Sequence, residues 1–198
     1  AADNRTQVVS VTGAPVGTLS AGPAQIQLGG SSLLSWATTN AASASINNGV
    51  GSVSPVAAGS ISVSPAVNTT YVLTASGIAG QTTAQATVTI APPTATISAN
   101  PTTVGLGSPS TLTWSTTGAT SVSINSGVGS VAASGSVQVS PTTTTAYVLT
   151  ATGPGGQTTA QATVTISAPT ASMSANPTTV GLGSPTTLTW STTSASSV

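Results

Sequence analysis

Short runs of alternating apolar and small polar residues fill this chain. In Ser110–Ser115 (STLTWS), Leu112 and Trp114 fall on one side, while Thr111, Thr113 and Ser115 fall on the other. The same two-residue period sets Val122 with Ile124, Val137 with Val139, and Tyr147 with Leu149 and Ala151. It then sets Ala160, Ala162, Val164 and Ile166 together in QTTAQATVTI. Side chains of a strand alternate between its two faces, so each run predicts a half-buried β-strand. Turn signals separate the runs: Asn100-Pro101, Gly107-Ser108-Pro109, the Gly-rich stretch Asn125–Ser130, and Gly153-Pro154-Gly155-Gly156. Pro141 stops one strand, because proline has no amide to donate to a ladder. With TATISA and the short apolar segment at Val104 and Leu106, seven short strands are predicted, packed as a two-sheet sandwich. No stretch has a helical period.

The pattern repeats. PVGTLSAGPAQIQLGGSSLLSW begins at Pro15, PTATISANPTTVGLGSPSTLTW at Pro93 and PTASMSANPTTVGLGSPTTLTW at Pro169. Trp36, Trp114 and Trp190 mark the copies, 78 and then 76 residues apart. A period of that length is a whole small domain rather than a solenoid unit. The organisation predicted is a leader at residues 1–14, repeats at 15–91 and 92–167, and a partial third repeat at 168–198. The third copy stops soon after Trp190, so about four strands of a sandwich are missing from it. A half sandwich opens its apolar face and strand edges to water. The chain is therefore expected to be a piece of a longer protein, or to be completed by another chain. Ala1-Ala2-Asp3 would suit a mature start after removal of a signal peptide.

Composition then narrows the chemistry. Asp3 is the sole acid and Arg5 the sole base of 198 residues, with no His and no Cys. General acid–base catalysis needs a group titrating near working pH, and a nucleophilic Ser or Thr needs a base beside it. The repeats offer neither, so no enzyme activity is expected and there are no candidate catalytic residues. Metal sites draw on His, Cys, Asp or Glu, so no metal and no cofactor is expected. One arginine cannot displace counterions along a phosphate backbone, which argues against nucleic acid as a partner. No apolar run is long enough to span a membrane in this segment. Without cysteine each repeat is disulfide-free and relies on its core, a marginal situation at this size.

The set ANP…TLTW…GS…VSP…YVLTA…ATVTI resembles the bacterial immunoglobulin-like tandem repeats of large secreted or cell-surface proteins. The resemblance runs from about Pro15 to the end of the chain. It implies an all-β fold of tandem, disulfide-free immunoglobulin-like sandwiches, the third incomplete, and an extracellular location. Tyr71 and Tyr147 match the tyrosine corner of such domains, whose hydroxyl bonds upstream backbone. Leu73 and Leu149 stand where antibody domains place the cysteine two residues later. The tryptophan also departs from the antibody pattern, since it sits on the second predicted strand rather than the third.

The candidate residues read structurally first. Trp36, Trp114 and Trp190, with Tyr71, Tyr147, Leu73 and Leu149, are expected in the cores; a sugar-stacking platform is the competing reading for the indoles. The glycines around Val50 and Val128 are turn residues, with no following helix or lysine to make a phosphate loop. Asn4 and Asn68 begin N-x-S/T triplets and are candidate glycosylation sites. Val8, Val9 and Val11 of the leader form a candidate assembly strand that docks by strand addition on a neighbouring bead or subunit. The closing strand QTTAQATVTI lacks charged guards and is a second candidate edge for such pairing.

Three functions fit these readings. The first is a stalk, spacer or filament segment of a larger bacterial surface protein, whose partners are neighbouring domains. The second is a self-assembling fibre or sheath subunit, whose partners are other copies of the chain. The third is an adhesive module for a host surface or glycans, using the loops at Asn47–Val53 and Asn125–Val131, or a phage decoration protein.

Overall fold

The computed structural model describes residues 13–54 and 56–194; the expected leader strand at Val8, Val9 and Val11, and Asn4, lie outside them. The described residues form eighteen β-strands and no helix. They divide into two compact units, the first running to Pro92 and also taking in Pro154–Gly156, the second holding the other residues from Pro93 on.

In the first unit the strands are β1 (Val16–Gly22), β2 (Gln25–Ile26), β3 (Ser32–Thr39), β4 (Ser43–Ile46), β5 (Gly51–Ser52), β6 (Ala58–Val63), β7 (Thr69–Gly77) and β8 (Gly80–Ile90). They form a three-stranded sheet in the order β1-β3-β6 and a five-stranded sheet in the order β2-β8-β7-β4-β5. The second unit repeats this plan with β9 (Thr94–Asn100), β10 (Thr103–Val104), β11 (Ser110–Thr117), β12 (Ser121–Ile124), β13 (Gly129–Val131), β14 (Ser134–Val139), β15 (Thr145–Gly153) and β16 (Gly156–Ile166). Its sheets run β14-β11-β9 and β10-β16-β15-β12-β13. Two packed, mostly antiparallel sheets in this order make disulfide-free immunoglobulin-like sandwiches.

Each sandwich has eight strands rather than the seven predicted. The additional one is β5 or β13, within what the sequence presents as a Gly-rich connection. At the β4–β5 turn Asn48 and Gly49 both take positive φ, 54° and 84°, and the Val50 amide donates to the Asn47 carbonyl at 3.4 Å. Positive φ at both central positions is the type I′ geometry, which Asn-Gly adopts at low cost and which matches strand twist. The chain folds back there, and Gly51 pairs with Ile46.

The cores follow the two-residue period. Along β3 the inward series is Ser32, Leu34, Trp36 and Thr38, and along β11 it is Ser110, Leu112, Trp114 and Thr116; all are buried. Ile46, Leu73 and Val88 from the facing sheet close the first core, and Ile124, Leu149 and Val164 close the second. The inward hydroxyls are paired: Ser32 Oγ donates to the Pro23 carbonyl and Ser110 Oγ to the Pro101 carbonyl, both at 2.7 Å. A buried hydroxyl without such a bond would be destabilising.

Also within the second unit, β17 (Thr170–Asn176) and β18 (Thr187–Thr193) form a two-stranded antiparallel ribbon in which Met173 faces Trp190. One expectation fails here. Trp36 and Trp114 are each 6 % exposed, whereas Trp190 is 63 % exposed and belongs to no core. In the complete sandwiches the indole lies opposite a glycine of the sixth strand of its bead, Gly59 or Gly135, with the second sheet beneath it. The ribbon offers Trp190 neither neighbour.

Candidate functional site

The repeats present backbone and hydroxyl chemistry rather than ionisable groups. No cluster of His, Cys, Asp or Glu able to hold a metal ion occurs among the described residues. No helix of the described residues is long and apolar enough to cross a membrane. Two features recur in both sandwiches at equivalent positions.

The first is a parallel patch between the early and closing strands of each bead. Ile26 of β2 pairs with Ile90 of β8, and Val104 of β10 with Ile166 of β16. In the first bead the Thr89 amide donates to the Ala24 carbonyl and the Ala91 amide to the Ile26 carbonyl, both at 2.8 Å. In the second, Thr165 donates to Thr102 at 2.8 Å and Ser167 to Val104 at 2.9 Å. The closing strand is therefore an interior strand at its C-terminal end, with β2 or β10 on one side and β7 or β15 on the other. Its expected role as a free edge does not hold there.

The second feature is a shallow groove beside the sixth strand of each bead. In the first bead it encloses about 570 Å³ among Val50, Ile61, Val63, Pro65, Thr69 and Tyr71. In the second it encloses about 520 Å³ among Val128, Val137, Val139, Pro141, Thr145 and Tyr147. The turns at Asn48–Val50 and Ser126–Val128 form one wall, so part of each loop expected to hold glycans lies here. Those loops are tied down: Asn47 Oδ1 accepts from the Val72 amide at 2.8 Å and Asn125 Oδ1 from the Val148 amide at 2.7 Å.

Tyr71 and Tyr147 stand at the groove floors, only 4 % and 3 % exposed. The tyrosine-corner bond expected for them is not made, for neither hydroxyl is hydrogen-bonded to a described residue. No buried side-chain polar atom is left unsatisfied among the described residues, so both hydroxyls meet solvent through the groove. Burial pushes both phenols above their ordinary pKa, since desolvation penalises the phenolate. Leu73 and Leu149, by contrast, are fully enclosed, each in its core. Asn68 is exposed at the start of the strand carrying Tyr71, and its Oδ1 accepts from the buried Ile90 amide at 2.7 Å.

The groove itself escaped prediction. Ile61 lies directly opposite the enclosed Leu34 and shares its inward face, yet it is 38 % exposed because no described residue pairs with the outer side of β6. No sequence signal marked it, because which strand ends a sheet is set by pairing order.

No family model matches the sequence, and no curated protein matches it significantly. Solved structures with similar folds include a chimeric titin Z1Z2 tandem, 16 % identical, covering 76 % of this chain and 96 % of that one with a TM-score of 0.34. The titin Z1Z2 domains in complex with telethonin are 18 % identical, covering 79 % and 98 %, with a TM-score of 0.34. Murine CEACAM1b is 14 % identical, covering 77 % and 99 %, with a TM-score of 0.36.

Proposed function

We propose that the chain is a non-catalytic, extracellular repeat array that serves as a stalk, spacer or filament segment of a larger bacterial surface protein. The observation that carries this reading is the parallel patch between early and closing strands. Tension applied through the two ends of a bead pulls β2 and β8 past each other in opposite directions. Their backbone bonds lie across that direction and are loaded together, so the patch resists by shear rather than opening one bond at a time. The same holds for β10 and β16. Each bead also encloses its own core, so mechanical load is borne bead by bead.

The absence of lysine and arginine from the repeats supports a protease-exposed setting, because trypsin-like enzymes find no cleavage residue there. Single-molecule stretching tests the reading. Each intact bead should rupture as one event releasing about 250 Å of chain, from ~75 residues at roughly 3.4 Å each. Ala91→Pro and Ser167→Pro delete the amides that bond Ile26 and Val104, and should lower the rupture force of their own bead. Smooth extension without discrete events, or unchanged force in both variants, would rule out the load-bearing role.

A further inference from the structure

Among the described residues, the six-residue strands β6 and β14 have no partner on their outer edges, and the same is true of β1 and β9 at the other ends of the same sheets. β6 and β14 are the end members of their three-stranded sheets, and the connections leading to them contain no strand among the described residues. Their sequences, AGSISV and SGSVQV, carry no charge and no proline. Natural sheets usually guard such an edge with lysine, proline, a bulge or a covering segment. Behind each edge lies the groove, where inward Ile61 or Val137 meets water and a nine-tenths-buried tyrosine presents an unpartnered hydroxyl.

We infer that β6 and β14 are acceptor edges through which two copies of this chain pair side by side, each edge antiparallel to the same edge of the second copy. The three-stranded sheets of the two copies then become one continuous six-stranded sheet. Ile61 or Val137 of both copies closes over the grooves, and the tyrosine hydroxyl donates to a carbonyl or hydroxyl of the incoming strand. Such an isologous contact uses one self-complementary patch twice. Charge selects the second copy as the occupant. The repeats carry no ionised side chain, so two copies approach without repulsion, while an acidic or basic partner finds no counter-charge. A sugar is the poorer fit, because each phenol ring is too enclosed to offer a stacking face. Two acceptor edges per chain allow extended sheets of chains. The inference is independent of the spacer reading, since an unpaired array still spans distance.

Sedimentation velocity on the whole chain over a wide concentration range, with hydrogen exchange at both extremes, tests it. The expected result is reversible self-association, with amide protection gained at Ala58–Val63 and Ser134–Val139 as concentration rises. The double variant Ile61→Lys with Val137→Lys should remain monomeric, because an inward-pointing lysine at an edge cannot be buried by pairing. A second pair, Ser62→Lys with Gln138→Lys, changes only exposed positions and should also abolish association while both cores stay protected. Leu33→Lys, on the outer face of β3, should associate as the parent does. A parent chain monomeric at every concentration would overturn the inference. So would association that survives both lysine pairs, protection gained at other strands only, or glycan binding that protects these same edges.

Discussion

Replacing Gly59 by alanine tests the indole packing that organises each core. Trp36 stands opposite Gly59 in the β3–β6 ladder, and its ring lies over the glycine. A Cβ built at Gly59 falls 2.4 Å from Trp36 Cζ2, 2.9 Å from Cη2 and 3.0 Å from Cε2. Carbon atoms rest at about 3.5–4.0 Å, so ring or strand must shift by roughly 1 Å. Neither moves freely, because the indole is buried and β6 is held along its length by β3. Overpacking of this kind costs about 1–3 kcal/mol. Against it stands the lower unfolded-state entropy of alanine, about 0.4–1 kcal/mol. The net expectation is about 1–2 kcal/mol of destabilisation confined to the first bead.

The second bead supplies an internal comparison. At Gly135 the nearest approach is 3.0 Å, to Trp114 Cζ2, so Gly135→Ala should stay within about 1 kcal/mol of neutral. Because the chain has more than one unit, a single melting curve mixes their transitions. Native-state hydrogen exchange separates them. The slowest amides of β3 and β7 should exchange about 5–30-fold faster in Gly59→Ala, with β11 and β15 unchanged. If exchange in the first bead is unaltered, or Gly135→Ala does more damage than Gly59→Ala, the packing account is wrong.

Further outcomes follow from the same cores. Leu73→Ala and Leu149→Ala, at fully enclosed positions, should each cost about 2–5 kcal/mol in the exchange of their own bead and nothing in the other. Ser32→Ala and Ser110→Ala remove the buried donor of a 2.7 Å bond and should cost about 1–3 kcal/mol by the same readout. Exposed Thr18→Ala should stay within about 0.5 kcal/mol. Stability against pH, followed by thermal melting, should be flat through the neutral range, for the repeats hold no carboxylate or imidazole. Above the ordinary phenol value, near 10, it should fall. The unfolded chain releases its tyrosine protons there while the folded chain, with both phenols raised, retains them, so rising pH favours unfolding. Absorbance at the phenolate band should rise together with unfolding, and an earlier rise in the intact fold would contradict the burial.

Alternation along each run was enough to assign strands and to choose the inward residues Leu112, Trp114, Ile124, Leu149 and Val164. A strand has only two faces, and one of them must leave water. The spacing of the tryptophans likewise announced repeated beads, and the near absence of ionisable groups narrowed the chemistry to packing and backbone pairing. Pairing order was not written there, because hydrogen bonds between strands are made by backbone that every residue shares. Only the folded arrangement places β2 beside β8 and leaves the outer edge of β6 unpaired among the described residues, turning QTTAQATVTI from an expected free edge into a strand that is interior at its C-terminal end. It likewise decides that Tyr71 and Tyr147 open into a groove instead of closing a corner. Trp190 shows the division in one residue: its local sequence matches that of Trp114, yet its burial depends on partner strands that its own ribbon does not contain.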